Sequence, residues 1–355
     1  MKYPKFKVCV DCITFNHAKF INDTMNGFTI QQTSFPFVCT IVDDASTDGE
    51  QEIIKKYIDD NFDSSGGSLF LNKETDYAHI FFAQHKLNKN CFFAVLLLKE
   101  NHHSQNKSKL PYLEEWRNDI DYIAICEGDD YWIDALKLQK QVSFMDDNLI
   151  YGLCYSKSKV VYESISQGNN NSVGRRISDF ESIMLKGNHI PSLTTLFRKD
   201  LYYLYLNEIN PYAKDWLLGD YPLWIWFFKN SKVYFFDEIT AVYRILRESA
   251  SHSADINKNL KFLSSVNDIR LFYANHYKKY QYLIPSLNEI YYRDTLRIGE
   301  AFHSQDCCIN ALEGIKNKNY KEFIKSFVYR YKLLFSLKVK CSGVLNHICR
   351  LMRTV

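Results

Sequence analysis

Two pairs of adjacent carboxylates, Asp43-Asp44 and Asp129-Asp130, each follow a short apolar run in this 355-residue chain. Clustered acids repel one another unless something neutralises them, and a divalent cation does this well. Hard oxygen donors suit Mg²⁺ or Mn²⁺, with a few carboxylates and phosphate oxygens completing the shell. Either pair alone has a plainer use, with Asp44 or Asp130 capping the helix that follows. Two pairs at equivalent strand ends favour one shared crevice, because open α/β sheets bind ligands beyond the carboxyl ends of their strands. The expected chemistry is therefore binding of a metal and a diphosphate. Cys9 and Cys12 form one Cys-x-x-Cys, but no second pair follows at zinc-ribbon spacing. On a strand these two positions face opposite sides, so buried, inert thiols are expected there and no metal.

The elements that must hold these acids follow from periodicity. Residues 7–14 are rich in β-branched and small apolar types and predict a buried strand. A helix follows with Phe20, Ile21, Met25 and Phe28 on one face. A second strand is predicted over 37–42, stopping at the first acidic pair. Thr47 and Glu50 then have capping-box spacing ahead of a helix carrying Ile53, Ile54, Tyr57 and Ile58. Residues 61–90 hold a Ser/Gly loop and no clear period. The run 91–98 predicts a central strand, 110–118 a short helix with Pro111 in its first turn, and 122–126 a strand ending at the second acidic pair. Asp134 is placed to cap a helix bearing Leu138, Val142 and Met145. Beyond it, strands are expected over 151–162, 194–197, 233–236 and 241–246, a polar loop over 166–176, and a buried helix over 222–228. From about residue 257 onward the pattern is mostly helical. Strand and helix alternating through the first half argue for a parallel sheet with covering helices.

Composition sets the outer limits. Hydrophobic residues make up 46% and charged residues 24%, as in an ordinary globular protein. Gly and Pro total only 20, which excludes long low-complexity segments. The longest apolar run, Cys91–Leu98, is far short of the ~18–20 residues that span a bilayer. Asp11 interrupts the apolar stretch after Lys2, Lys5 and Lys7, so no signal peptide is expected and the ten cysteines are expected as thiols. The net charge of +3 is unevenly spread. Residues 316–355 carry ten Lys or Arg against Glu322 alone, whereas residues 1–315 carry 34 bases and 40 acids. A mildly acidic body does not suit nucleic-acid binding.

Five segments together resemble the family-2 glycosyltransferases of GT-A fold. They are ITFNH at 13–17, VDDASTDG at 42–49, YIAICEGDDYW at 122–132, LLGDYPLWIWF at 217–227 and AVYRILRESASH at 241–252. The resemblance covers roughly residues 5–255. It implies an α/β fold, a GT-A Rossmann-like mixed, mostly parallel sheet with helices on both faces, plus a mostly helical C-terminal extension. The implied domains are 1–256, the glycosyltransferase domain, and 257–355, a helical region with a basic amphipathic tail.

The resemblance also implies roles. Ile13, Thr14 and Phe15 would sit against the nucleotide base, Asn16 would hold the turn, and Asp44 would accept a hydrogen bond from the base. Asn101, Gln105 and Lys109 lie where the family closes over base and ribose. Asp129 would take the ribose or the metal, and Asp130 the metal. Asp220 would be the general base, although Gly219 stands where the family usually has a first acid. Its alternative use is an N-cap ahead of Pro222. Arg244 and Arg247 would meet the diphosphate, with Ser249 and His252 on a stretch that folds over the donor. Asn188, His189, Ser192, Thr194 and Thr195 would line the sugar or acceptor side. His102 and His103 are expected as polar loop contacts. Of the aromatic cluster, Trp224 and Trp226 are expected in the core, and Trp216 is left open.

The implied activity is an inverting, metal-dependent hexosyl transfer from a nucleotide-sugar, a UDP-sugar foremost, to a glycan or lipid-linked glycan. Bacterial surface polysaccharide synthesis in the cytoplasm is the implied setting. Rivals are a nucleotidyltransferase, which would want a glycine-rich phosphate loop that ITFNHAKF lacks, and a nucleotide-sugar binding protein without turnover. The basic tail alternates Lys and Arg with Phe, Ile, Val, Tyr and Leu over 323–340. It could lie on the inner face of the cell membrane, pack on the body with a solvated basic face, or meet a partner subunit.

Overall fold

The computed structural model describes residues 4–63, 70–162, 171–246, 254–332 and 334–337. The elements in chain order are β1 (Val8–Thr14), α1 (Ile21–Thr29), β2 (Phe37–Asp43), α2 (Glu50–Asn61), β3 (Leu71–Glu74), β4 (Ala78–Gln84), β5 (Cys91–Leu98), α3 (Leu110–Arg117), β6 (Tyr122–Ile125), β7 (Tyr131–Trp132) and α4 (Lys137–Asp147). They continue with β8 (Tyr151–Tyr162), β9 (Ser172–Val173), α5 (Phe180–Lys186), β10 (Leu196–Arg198), α6 (Lys199–Ile209), α7 (Asp220–Asn230), β11 (Lys232–Ile245), α8 (Ile256–His276), α9 (Ile284–Ala301), α10 (Gln305–Gly314) and α11 (Tyr320–Val328). Among the described residues the strands form one mixed sheet in the order β3-β4-β5-β2-β1-β6-β10-β8-β11-β7, with β9 beside β8. Its centre, β5-β2-β1-β6, is parallel.

Burial explains this centre. Every residue of β5 and of β2 is buried, as strands covered on both faces must be. Alternate residues of β5 point to opposite faces. Phe93, Val95 and Leu97 pack with Ile21, Met25 and Phe28 of α1, Ile54 and Ile58 of α2, and Leu138, Val142 and Met145 of α4. Leu96 and Leu98 pack with Leu113 of α3 on the other side. At the middle of β1, buried Asp11 is paired with Arg117 of α3, an ion pair inside that second layer.

Several expectations are corrected. The strands expected over 233–236 and 241–246 are one strand, β11, whose register with β8 shifts between Phe235 and Ile239 and again before Ala241. These irregularities re-aim the strand, and the polar Asp237-Glu238 inside them breaks the apolar pattern. The aperiodic 61–90 region contains the hairpin β3-β4, and α6 was not expected at all. Only Tyr205 and Ile209 of α6 are buried, so no apolar stripe marks it. Asp134 does not cap α4. Its carboxylate accepts from the Leu136 N–H (2.9 Å) in the turn before the helix begins. Cys9 and Cys12 are both buried, and no disulfide joins the described cysteines.

The chain packs as two compact units. One consists of Met1–Ile183, Asn188–Asn210 and Leu223–Leu246, and the other of Met184–Gly187, Pro211–Pro222 and Arg247–Val355. The second unit therefore includes Pro211–Pro222, which a boundary at 256 assigns to the first domain. Within it, Leu217 N–H donates to Ser265 Oγ and Tyr273 Oη to the Pro222 carbonyl, at 2.8 and 2.7 Å. Leu296, Cys308, Ala311, Leu312, Ile315, Tyr329 and Phe335 form a small core of its own.

Candidate active site

The carboxyl ends of β2, β1 and β6 lie side by side, with Thr14 opposite Asp43 and Asp11 opposite Ile125. Three turns leave from this edge; polar side chains lock the first two together, and the third is tied to β1 by the Gly128 N–H, which donates to the Ile13 carbonyl (3.2 Å). Asn16, at φ 57°, donates its N–H to Ser46 Oγ (2.8 Å), and its Oδ1 accepts from Thr47 N–H (2.8 Å). Buried Glu50 accepts from Thr14 Oγ1, from His17 N–H (2.8 Å) and from Ser46 Oγ (2.9 Å). The expected Thr47/Glu50 box is thus absent, because Glu50 spends its oxygens on the neighbouring turn. Gly49, at φ 91°, opens α2 instead. The Thr14 hydroxyl is buried against Glu50 and His17. Ile13 and Phe15 do face outward, at 40% and 42% exposure.

The first acidic pair is occupied by the protein itself. Asp43 is buried, accepting from Ser46 N–H and Gln51 Nε2, while its Oδ2 has no hydrogen-bond partner. Burial pushes its pKa up. Asp44 Oδ1 accepts from His102 N–H (2.7 Å), and its Oδ2 from His103 N–H (3.0 Å) and Lys109 Nζ (2.8 Å). Burial alone would raise the Asp44 pKa, but Lys109 and the two amides outweigh it and hold it below the usual carboxylate value. Asn101 Nδ2 donates to the Asp44 carbonyl (3.0 Å), and its Oδ1 accepts from Ser104 N–H. Gln105 is exposed and reaches Glu100 (3.3 Å). Asp44 therefore organises the whole 101–109 loop. His102 and His103 serve it through their backbone amides.

The second pair sits in a tightly held turn. Thr24 Oγ1 of α1 donates to the carbonyls of Gly128 (2.9 Å) and Asp130 (2.6 Å). Arg244 of β11 donates its backbone N–H to Asp130 Oδ1 and Nη1 to the Asp129 carbonyl, both at 2.7 Å, and pairs with Asp23. Its guanidinium lies over the rings of Phe20 and Tyr131. Arg244 thus ties the acidic turn to β11 and α1. Asp130 is buried and Asp129 half-buried. Burial first, then the charges of Asp129 and Glu127, push the Asp130 pKa far above its ordinary value. An all-oxygen acid set destabilised by its own charge fits a hard divalent cation. Among the described residues, no group of three or more His, Cys, Asp or Glu side chains is arranged to hold a metal. Asp129 and Asp130 would be two ligands, leaving the remaining positions to phosphate oxygens and water.

Elsewhere the expected residues divide. Thr194 and Thr195 are fully buried, donating to the carbonyls of Ser156 and Pro191 and of Ser192. Their hydroxyls close the turn before β10. His189 contacts Arg175, and Asn188 accepts from Ile190 N–H. Trp224 and Trp226 are buried, and Trp216 packs edge-on to Phe272. Asp220 opens α7, half-buried, with Oδ1 accepting from Tyr221 N–H at 2.7 Å. The ring of Tyr221 is fixed by Arg270 Nε, which donates to its hydroxyl (3.0 Å). Arg247, Ser249 and His252 lie outside the described residues.

No protein-family model matches the sequence. Uncharacterized proteins of Mycobacterium tuberculosis and Mycobacterium bovis are 30% identical to it over 151 residues, 42% of this chain and 35% of theirs. The chain thus spans about a third of the length of the curated relatives it matches. Among solved structures, S. aureus TarS 1-349 in complex with UDP-GlcNAc superposes with a TM-score of 0.53 at 18% identity, over 90% of this chain and 81% of that one. Its complex with UDP gives 0.53 at 17% identity, over 87% and 79%. TarS is a GT-A family 2 glycosyltransferase.

The fold is GT-A.

A mannosyltransferase from Pyrobaculum calidifontis in complex with GDP-Man and Mn²⁺ is a looser match, at 12% identity and a TM-score of 0.43 over 95% of this chain and 87% of that one. Within this GT-A fold, the residues that sequence reasoning passed over are Thr24, Asp23 and Glu50. Each is a polar residue on a helix with at least one partner more than thirty positions away. Only Glu50 carried a signal, and its spacing to Thr47 pointed to the wrong partner.

Proposed function

We propose that this chain is a metal-dependent inverting glycosyltransferase that moves a hexosyl group from a nucleotide-sugar to an acceptor hydroxyl, in the synthesis of a surface polysaccharide, lipopolysaccharide or capsule. The observation that carries the reading is the joining of three turns at the adjacent ends of β2, β1 and β6. They bring an exposed aromatic ring, a carboxylate of lowered pKa and an acid pair, one member buried and one half-buried, to one edge of a GT-A sheet. The UDP and UDP-GlcNAc held by TarS support a uridine diphosphate donor. The acceptor would be a glycan or lipid-linked glycan.

In this reading Phe15 and Ile13 offer an apolar face to the base. Asp44 has about four acceptor sites and uses three, leaving one for a base N–H. Asp130, with Asp129, would hold Mg²⁺ or Mn²⁺, and Asp129 could instead take the ribose. When bound, the cation would neutralise charge on the departing diphosphate. Thr24 and Arg244 hold the acid turn by its backbone, so both carboxylates keep one orientation. Asp220 takes the acceptor hydroxyl proton as the new bond from that oxygen to the anomeric carbon forms. The bond from that carbon to the diphosphate oxygen breaks, and the nucleoside diphosphate leaves with the electron pair. Attack opposite the leaving group inverts the centre.

The test is Asp220→Asn. Loss of a general base should lower kcat by about 10²–10⁴-fold, with donor affinity and thermal stability unchanged. Turnover at the wild-type rate would remove Asp220 from the mechanism. A wild-type chain that binds donor and never transfers or hydrolyses it would favour the binding-protein alternative.

A further inference from the structure

We propose that α11 and the short segment after it form a docking face for an anionic lipid surface. Tyr329 and Phe335 turn inward to Leu296, Cys308, Leu312 and Ile315. The opposite side is apolar and faces water. Tyr320, Phe323, Phe327 and Tyr331 are 79%, 66%, 62% and 52% exposed, and Ile324, Leu334 and Leu337 are exposed beside them. Tyr320, Phe323 or Ile324, and Phe327 recur at intervals of three or four residues along α11, and Tyr331 follows just beyond its end. The rings of Phe327 and Tyr331 touch, with centroids 5.4 Å apart. Exposed aromatic surface of this extent on one short element marks an interaction site rather than ordinary solvent-facing packing.

Charge selects the occupant. Residues 316–337 carry six Lys or Arg and one acid, Glu322; two of the bases are paired with acids elsewhere, Lys325 with Glu300 (2.8 Å) and Arg330 with Glu313 (4.0 Å). Glu322 is turned away from water. It caps α11 with Asn319 and is bound by Arg293 Nε (3.0 Å). Lys321 and Lys332 are exposed. An apolar stripe bordered by free ammonium groups matches the headgroup boundary of an anionic bilayer, where aromatic rings insert and lysine stems reach phosphate. A second copy of the same face would set like charges against each other. No helix among the described residues is long and apolar enough to cross a membrane, so the contact lies on the surface. The proposal is independent of donor chemistry: Asp130→Ala and Asp220→Asn should leave it untouched.

The experiment is co-sedimentation of the full chain with vesicles of phosphatidylcholine alone, and of phosphatidylcholine mixed with phosphatidylglycerol. The expected result is binding to the mixed vesicles, weakened by salt. Phe323→Glu with Phe327→Glu should weaken it at least roughly tenfold. Lys321→Gln should weaken it about fivefold, with a similar further loss from Lys332→Gln. These side chains are on the surface, so circular dichroism and the melting temperature should not change. Absence of vesicle binding by the wild-type chain would overturn the proposal, as would binding indifferent to the Phe323→Glu and Phe327→Glu changes. A self-association that those changes abolish, without lipid binding, would overturn it in favour of a contact between copies.

Discussion

Ala45 holds φ at 61° in the turn that follows the first acidic pair. An L-residue in the left-handed region costs about 1–2 kcal/mol, and here the cost is met by the lattice of bonds from Asn16, Ser46 and Glu50. Ala45→Gly should therefore raise stability by up to about 1 kcal/mol, read by urea denaturation. A loss of stability would show that the conformation is unstrained. At the next residue, the bonds from Lys109, His102 and His103 hold the Asp44 pKa below its unfolded value of about 3.9. A depressed folded pKa contributes stability that is fully present above the unfolded value and is lost as pH falls through the folded one. The stability gap between wild type and Asp44→Asn should be full at neutral pH and narrow under acid below that value. A gap independent of pH would contradict the assignment. Arg244 is the third such residue. Arg244→Gln removes the grip on the Asp129 carbonyl and on Asp23, and should weaken Mn²⁺ binding about 10–100-fold, measured by titration of the ion without donor. Unchanged ion affinity would show that the clamp is only structural.

At the scale of elements, the close approach of β1 and β6 fixes one glycine. A side chain at Gly128 would collide with Thr14 Oγ1 and Cβ. Gly128→Ala should cost about 1–3 kcal/mol and displace the acid turn, lowering melting temperature and ion affinity together. A fully stable variant would show that the two turns part easily. The same elements show what sequence could reveal. The strand at Cys91–Leu98 was legible because eight apolar residues in a row leave few alternatives to a buried strand. The place of the acids at 129–130 just beyond a strand was legible because they follow an apolar run. The hydroxyl bonds of Thr194 and Thr195 were not, because a threonine that closes a turn has the same letter as any other. Nor were the ties of Arg244 to Asp23 and Asp129, which span more than a hundred positions. Glu50 has a local spacing that mimics a cap, and only the fold reveals that Thr14 and His17 claim its oxygens. The long β11 was divided because its irregular register places polar residues where alternation breaks.

For the whole molecule, the two proposed tasks fall on different parts of the chain. The GT-A unit gathers acids at one sheet edge, while residues 316–355 hold most of the unbalanced positive charge. Donor chemistry and surface attachment should therefore fail independently, the first in Asp130→Ala and the second in Phe323→Glu with Phe327→Glu. In the proposed function the strand-end acids bind a nucleotide-sugar together with a divalent ion. Thermal unfolding with a panel of nucleoside diphosphates and nucleotide-sugars, with and without Mn²⁺, tests it most directly. A uridine diphosphate ligand should stabilise the chain by about 2.7 kcal/mol at a hundred times its Kd, only with Mn²⁺ and only while Asp130 is present. A folded chain that shows no metal-dependent shift with any member of the panel would contradict the account.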